Sequence, residues 1–217
     1  MTIAPATPAP RIGQLTRDDW IATARAVLIA RGISAVGVRA LAAAMQVTSG
    51  AFYWQFRNLE DLHQALRTDW AERNTAPFTR AIAAAGPEGL RQYLAWVRVL
   101  VTEEEFDPDH DNAIRDWAHG SPATAEVLAR VESFRIAQLC GVFRALGFDG
   151  QRARIRARVA YYHQVGYNAM RVREPRAERL LNVPYYAEIL TDSRALAHLD
   201  TPESIRCVLE GGPIPPV

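Results

Sequence analysis

The chain has 217 residues, of which 49% are hydrophobic, and its formal net charge is +1. This length can bury a substantial core, and the balanced charge excludes a chain-wide basic surface, so any nucleic-acid footprint must be local. No run approaches the roughly 18 apolar residues of a membrane span. Cys140 and Cys207 fit neither metal nor disulfide spacing, and we expect buried reduced thiols. We therefore expect a cytoplasmic protein without a membrane partner.

The composition favours an all-α fold, because long stretches rich in Ala, Arg, Leu and Val lack the alternation typical of strands. Residues 1–13 have neither the basic nor the apolar region of a signal peptide and are expected to form a disordered arm. Residues 211–217, GGPIPPV, are expected to be a loose tail. Between them we predict a small three-helix unit over residues 14–58 and a larger helical domain over residues 59–210.

The first helix is predicted to begin after Thr16, where Asp19 completes a capping box with Asp in place of Glu. Gly32 is a good stop signal for this helix. The predicted inner face consists of Trp20, Ala24, Val27 and Leu28.

Residues 38–56, VRALAAAMQVTSGAFYWQF, predict two short helices joined by a tight turn. Apolar residues at i, i+3, i+4 and i+7 give the first helix one inner stripe, and Arg39 points away from it. Gln46 and Val47 leave room only for a turn, and Thr48 can cap the second helix with its side chain. The stripe is formed by Val38, Leu41, Ala42 and Met45.

The second helix of this pair presents small and hydrogen-bonding residues at its start. Phe52 and Phe56 are expected to bury its back, and its small first turn would let the backbone approach another surface closely. A helix pair of this kind is how a helix-turn-helix motif enters the major groove, so we expect double-stranded DNA as a partner. For Tyr53 and Trp54 the alternative is simple core packing. The DNA-facing candidates here are Thr48, Ser49, Gly50, Tyr53, Trp54 and Gln55.

Further helices follow from caps, prolines and apolar periodicity. The predicted helices run from Asn58 to about Asn74, from about Glu88 to Val101, through Ile114 to Ala118, from Ser121 to about Leu146, from Asp149 to about Val172, from Pro184 to Leu190 and from Pro202 to Leu209.

An acidic run before Ile114 has the spacing of a metal site only in part. Asp107, Asp109 and Asp111 fall at positions one, three and five of a calcium-binding loop. Position six is Asn112 rather than Gly, and position twelve is Ala118 rather than Glu. We therefore expect a solvated loop and no metal.

Aromatic residues on the later helices are candidates either for a ligand pocket or for ordinary core packing. The run RARIRAR at 152–158 could form a second basic patch, but charges spread around a helix favour a solvated face or the rim of a dimer. The pocket candidates are Trp96, Trp117, Phe134, Tyr162, His163 and Tyr167.

Residues 16–62 resemble the DNA-binding domain of TetR-family transcriptional regulators. The resemblance consists of a capped first helix ending in Ala-Arg-Gly, then V-R-x-L-A, then V-T-S-G-x-F-Y-x-x-F, then an acidic helix start. It implies a homodimer whose residues 14–58 bind a palindromic operator and whose residues 59–210 form a ligand-binding and dimerisation domain. It also implies repression relieved by a small effector, which the aromatic candidates suggest is apolar or aromatic, and it implies no cofactor.

The resemblance implies a role for each matched residue. Arg39 would meet the DNA backbone or a base edge, and Tyr53 would contact phosphate. Thr48 and Ser49 would lie at the mouth of the second helix, with Trp54 and Gln55 against the DNA backbone.

Three positions depart from the family pattern. Met45 and Gln46 replace Ala-Gly in the turn, so a non-glycine residue must adopt a strained conformation or the turn must close differently. Gln55 replaces a frequent His, and its amide can still donate to phosphate. Leu59 replaces a usual Lys, which removes a phosphate contact.

Two other functions remain open. The sequence contains no nucleophile elbow, zinc-binding HExxH, Walker or dinucleotide motif, so we expect no enzymatic activity. A helical enzyme using His110 or His163 with nearby carboxylates is one alternative. A ligand-binding or interaction module that no longer binds DNA is the other.

Overall fold

The computed structural model describes residues 15–214, so the expected arm at 1–13 and residues 215–217 lie outside the described part of the chain. Residues 15–214 contain helices and no strand, which confirms the all-α prediction. Two 3-10 segments occur, at Ile33–Ala35 and Ser49–Trp54. The α-helices are α1 (Arg17–Arg31), α2 (Val38–Ala44), α3 (Leu59–Arg73), α4 (Ala76–Ala84), α5 (Gly89–Thr102), α6 (Pro108–Gly120), α7 (Pro122–Ala145), α8 (Gly150–Ala169), α9 (Arg176–Leu181), α10 (Val183–Thr191) and α11 (Pro202–Leu209).

Several helices begin at the capping residues that the sequence indicates. The Thr16 hydroxyl accepts from the Asp19 amide, and the Asp19 carboxylate accepts from the Thr16 amide at 2.8 Å, which confirms the capping box. Helices α4 and α9 were not predicted. Their N-cap residues, Thr75 and Pro175, make no side-chain capping hydrogen bond. Side-chain caps were predicted correctly at Asn58, Ser121 and Asp149.

The segment after the tight turn differs from the predicted α-helix. Ser49–Trp54 is a 3-10 helix, with Ala51 N–H bonded to the Thr48 carbonyl at 3.0 Å. Thr48 has the extended backbone of an N-cap, but its side chain makes no capping hydrogen bond. Gln46 has φ of 56°, which confirms that a non-glycine residue occupies the left-handed region in this turn.

Two hydrophobic cores organise the chain, and the first extends past residue 58. It combines α1, α2 and the two 3-10 segments with Leu62, Leu66 and Trp70 of α3, and with Ile114 and Trp117 of α6. The second core lies between α5, the antiparallel pair α7 and α8, and the short helices α9 to α11. Helix α6 therefore belongs by sequence to the larger domain but packs into the core of the DNA-facing unit.

The acidic segment is not the solvated loop that its composition suggests. Asp107 caps α6, its carboxylate accepting from the amides of Asp109 and His110 at 3.0 Å. Asp111 lies one turn further along and is only 3% exposed, because it pairs with Arg135. Within residues 15–214 no group of three or more His, Cys, Asp or Glu residues could hold a metal ion.

The structure also bears on three other expectations, which concern the two cysteines, the C-terminal tail and membrane-spanning helices. Cys140 is buried as expected, whereas Cys207 is exposed on α11, and both are free thiols. The tail residues 211–214 lie against the larger domain, with the Gly212 carbonyl accepting from Arg91 at 2.7 Å. None of the helices in the described range is long and apolar enough to cross a membrane.

A close helix approach lies at the start of α5. A Cβ atom on Gly89 would come within 2.5 Å of the backbone of Ala145 and Leu146 at the end of α7. Among residues 15–214, and apart from its chain neighbours and the backbone of its own helix, Gly141 in the interior of α7 has no atom within 4 Å of its ideal Cβ position.

These two glycines predict opposite effects of the same substitution. In Gly89→Ala the added methyl group would clash with the backbone at the end of α7, so this substitution is expected to destabilise the protein by about 1 to 3 kcal/mol. Gly141→Ala removes helix-interior flexibility without a clash and is expected to stabilise it by about 0.5 to 1 kcal/mol. Urea unfolding of both variants measures the difference, and equal effects would contradict the packing of α5 on α7.

Candidate functional site

The 3-10 segment at 49–54 separates its aromatic side chains between core and solvent. Phe52 and Phe56 are 0% and 2% exposed, and the Phe52 ring meets the Trp20 ring edge to face at 5.4 Å. Tyr53 and Trp54 are 62% and 87% exposed. The alternative that Tyr53 and Trp54 are core residues is therefore wrong, and the segment presents a large aromatic surface outward.

Small and basic residues surround this aromatic pair. Arg39, Thr48 and Gly50 are exposed, and Ser49 is half-buried. A Cβ on Gly50 would meet only the Thr48 hydroxyl, at an ordinary 3.7 Å, so internal packing does not require glycine here. Arg39 forms no ion pair with any residue in the range 15–214, which leaves its guanidinium available to phosphate.

Gln55 is oriented inward, unlike its neighbours. Its side-chain amide donates to the Leu15 carbonyl at 3.0 Å, and its own backbone carbonyl accepts from Arg17 at 2.7 Å. Arg17 also pairs with Asp61 at 2.9 Å and lies 4.0 Å from the centre of the Phe56 ring. Gln55 thus joins the start of α1 to the exposed segment, and its amide is already engaged.

Ion pairs within the protein reduce the positive charge that the arginines of the N-terminal unit can present to DNA. Five arginines lie between residues 14 and 58. Arg17 pairs with Asp61, and Arg25 pairs with Asp69 at 2.7 Å. These two arginines stabilise the contact between α1 and α3, so the local positive charge facing outward is smaller than the count suggests.

A buried polar cluster lies where α3, α6 and α7 meet, and we call it the junction. The Asp111 carboxylate accepts from Arg135 at 3.0 Å and from the Trp70 indole at 3.1 Å. Arg135 also donates to the backbone carbonyl of Asn74, the residue that ends α3, at 2.9 Å. Arg115 pairs with Asp111 at 3.3 Å and donates to the Tyr161 hydroxyl of α8 at 3.0 Å. The junction therefore connects the helix leaving the N-terminal unit to three helices of the larger domain.

The charges of the junction set the ionisation of Asp111. Burial alone would raise the pKa of this carboxyl, but Arg135 and Arg115 outweigh burial and hold the pKa below its usual value of 3.8. Because the folded-state pKa is lower than in the unfolded chain, the carboxylate adds stability above about pH 4 that is lost as the pH falls further.

The larger domain contains a cavity of about 600 Å³, counting the space at its open mouth. Trp96, His163 and Tyr167 line it, so three of the six pocket candidates come together. Its wall is mainly apolar, which is typical of small-molecule sites. The sequence prediction missed several lining residues, among them Tyr93, Val97, Leu100, Arg179 and Tyr186.

The other three pocket candidates lie elsewhere. Trp117 is buried in the N-terminal core, with its ring 5.2 Å from the His63 ring. Phe134 and Tyr162 are exposed on α7 and α8. Aromatic content alone could not separate these residues, because each lies on an amphipathic helix. Tyr93 and Leu100 could have been found, since they lie three residues before and four after Trp96, on the same helix face.

Comparison with known proteins agrees with this geometry. Residues 21–66 match the family model described as bacterial regulatory proteins, tetR family. No curated protein matches the chain.

Two solved structures are similar to it. One is "The crystal structure of the putative transcriptional regulator from Pseudomonas aeruginosa PAO1", with 18% identity, a TM-score of 0.62 and coverage of 92% of this chain and 91% of that one. The other, "Crystal structure of BioQ with its naturel double-stranded DNA operator", has 24% identity and covers 82% and 97% of the two chains, at a TM-score of 0.40. The first similarity supports the fold, and the second is too weak to add to it.

A three-helix core that presents a short second segment after a tight turn, in an otherwise helical chain, defines a DNA-binding transcriptional regulator of the helix-turn-helix type. Residues 21–66, which belong to the N-terminal unit and the start of α3, are the part of the chain that is similar to bacterial regulatory proteins of the tetR family.

Adjacent aromatic residues in this unit are expected to respond differently to truncation. Phe52→Ala opens the N-terminal core and should cost about 3 to 5 kcal/mol of unfolding free energy. Trp54→Ala removes an exposed ring and should change stability by no more than about 0.5 kcal/mol. Thermal and urea unfolding test this pair, and a large loss in Trp54→Ala would place that ring in the core instead.

Proposed function

We propose that the protein is a homodimeric repressor that binds a palindromic operator in the cytoplasm and releases it when a small apolar or aromatic effector binds. The observation that carries the DNA part is the exposed face of residues 48–54, held by a buried Phe52. Arg39, Thr48 and Ser49 on this face supply donors for phosphates and base edges. Trp54 and Tyr53 would lie along the backbone.

Selection of bound DNA from a random pool, at two salt concentrations, tests this proposal. Two protomers related by a two-fold axis should recover an inverted repeat with half-sites about 34 to 36 Å apart. Binding should weaken as salt rises, by a slope of about 0.9 for each phosphate neutralised. A pool with no inverted repeat would contradict the operator and favour the module that no longer binds DNA.

Tyr53→Phe is expected to weaken DNA binding without unfolding the protein, because only an exposed hydroxyl is lost. A hydrogen bond to a charged phosphate corresponds to a loss of about tenfold in affinity. Operator and random DNA should lose affinity by the same factor, since a phosphate contact carries no sequence information. Ser133→Ala, which removes an exposed hydroxyl from α7, is the control in the same gel-shift titration. A loss confined to the operator would assign Tyr53 to base recognition instead.

The dimer part of the proposal is supported by exposed apolar residues on α8 and α10. Helix α10 contacts α8, since Arg156 of α8 donates to the Leu190 carbonyl at 2.6 Å and the His163 ring lies 4.8 Å from the Tyr186 ring. Apolar side chains that face solvent on neighbouring helices are typical of an interface between protein chains. The exposed residues are Ile155, Val159 and Tyr162 on α8, and Tyr185 and Ile189 on α10.

Val159→Asp is expected to separate the dimer, because it would bury an unpaired charge in the interface. Analytical ultracentrifugation of the wild type at micromolar concentration should give twice the chain mass of 24.1 kDa, and the variant should sediment as a monomer. Trp54→Asp, an equally drastic change at an exposed ring far from α8, should remain dimeric. A monomeric wild type would count against the whole scheme.

The effector part is supported by the apolar cavity beside Tyr93 and Trp96 and by its closeness to the junction. A ligand that favours one arrangement of α3 relative to the larger domain needs a coupling of only about 1 to 3 kcal/mol to alter operator affinity. Arg135 joins the end of α3 to α7, and α7 packs on α5 and α8, which line the cavity, so a shift at the cavity wall can reach the DNA-facing unit.

The enzymatic alternative finds little support in the arrangement of histidines. His163 lies at the mouth of the apolar cavity, whereas His110 is buried beside Asp107 in a different part of the chain. Burial lowers the pKa of His110, and the two imidazole rings line different cavities rather than converging in one. We therefore propose a regulator without catalytic activity.

A further inference from the structure

A second cavity, of about 410 Å³ counting the open space at its mouth, adjoins the junction, and both Arg135 and Asp111 form part of its wall. Trp96, Leu100 and Gln164 line this cavity and also the larger one. The two cavities therefore share a wall of side chains, and movement of those side chains would join them into one space that ends at the junction.

Two residues that line the second cavity carry an unused hydrogen-bond donor and an unused acceptor. Arg135 is 6% exposed, and its two terminal nitrogens are taken by Asp111 and by the Asn74 carbonyl. Its Nε is buried and has no hydrogen-bond partner among residues 15–214, and the same is true of Gln138 Oε1. Gln138 lies three residues after Arg135 on α7, so both side chains occupy one helix face. The Gln138 amide nitrogen donates to Thr79 at 2.8 Å, which orients the amide.

The charges around this cavity already balance. Two carboxylates, Asp111 and Glu132, are paired with two guanidinium groups, Arg115 and Arg135. An anionic ligand group placed here would add an uncompensated negative charge beside buried Asp111, which is costly in a poorly hydrated site. The unmet groups are instead one N–H and one oxygen, which a neutral group can satisfy.

We propose that the two cavities bind one neutral, hydroxyl-bearing apolar ligand. Its apolar body would occupy the larger cavity against Trp96 and Val97. Its hydroxyl would accept a hydrogen bond from Arg135 Nε and donate one to Gln138 Oε1, since a hydroxyl is both acceptor and donor. This identifies the chemical class of the effector and so rests on the proposed function.

The same geometry explains how such a ligand would be sensed. The guanidinium that receives the hydroxyl also holds the Asn74 carbonyl at the end of α3 and the Asp111 carboxylate of α6. A ligand bound to Arg135 therefore acts directly on the group that sets the position of α3. No separate relay between the ligand and the DNA-facing unit is needed.

Three matched probes test the inference by tryptophan fluorescence titration of the full chain without DNA: para-butylphenol, its methyl ether and para-butylbenzoate. The ether keeps the acceptor but loses the donor, and the benzoate adds a charge. The phenol should bind at least about tenfold more tightly than either, the loss that follows from one unsatisfied buried hydrogen bond. Gln138→Leu should weaken phenol binding by about tenfold and leave ether binding nearly unchanged. Gln151→Leu, at an exposed glutamine of α8, is the control.

Three results would overturn the inference: equal affinity for phenol and ether, tighter binding of the benzoate, or no binding by any probe. Unchanged phenol affinity in Gln138→Leu would overturn it as well. A parallel titration of the protein bound to selected DNA separates this inference from the proposed function. If the phenol binds as expected but the DNA is not released, the ligand class stands and the repressor mechanism fails. If DNA is released equally by phenol and ether, the repressor stands and the hydroxyl site fails.

Discussion

The ion pair between Asp111 and Arg135 is the interaction on which the arrangement of the domains depends. A carboxylate removed from water is tolerated only when it is paired and hydrogen-bonded, and Asp111 is supplied by Arg135, Arg115 and the Trp70 indole. Removing one member of such a buried pair leaves an uncompensated charge, at a cost of about 3 to 5 kcal/mol. Asp111 lies on α6 and Arg135 on α7, and their hydrogen-bond partners Trp70 and Asn74 lie in α3 and at its end. The pair therefore also specifies where the DNA-facing unit lies relative to the larger domain.

This ion pair links the N-terminal unit to the wall of a cavity in the larger domain. The end of α3 is held by a guanidinium that also lines a cavity, so ligand chemistry and helix position share one side chain. The DNA-facing surface is stabilised differently, by the stacking of Phe52 on Phe56 and the cation over Phe56 contributed by Arg17. The exposed segment therefore rests on a packed aromatic core, whereas the junction is held by buried charges.

Local signals in the sequence were sufficient for the class of fold, the N-terminal unit and several helix boundaries. Thr16, Asn58, Ser121 and Asp149 act within one helical turn, and their caps need no tertiary information. The outward position of Tyr53 and Trp54 also follows from local spacing, because Phe52 and Phe56 already occupy the inner face. Resemblance to a known family added the expected DNA-binding role for those same residues.

What the sequence could not reveal depends on contacts between distant residues. Gln55 was predicted to face DNA, but its side-chain amide donates to the carbonyl of Leu15, forty positions away. Asp111 looked solvated because Arg135, its partner, follows 24 residues later on another helix. The apolar periodicity of α6 was visible, but nothing local indicated that Trp117 would enter the N-terminal core rather than a ligand pocket. The 3-10 form of residues 49–54 likewise reflects packing on Trp20 and the tight turn at Gln46.

The burial of Ile114 and Trp117 among α1, α2 and α3 has a consequence for how this protein can be divided. The DNA-facing unit completes its hydrophobic core with a helix that lies more than forty residues beyond its last matched position. Cut away from the rest of the chain, it would leave Leu62, Leu66 and Trp70 in water. The N-terminal unit and α6 thus share one hydrophobic core, and a division of the chain at residue 58 would cut through it.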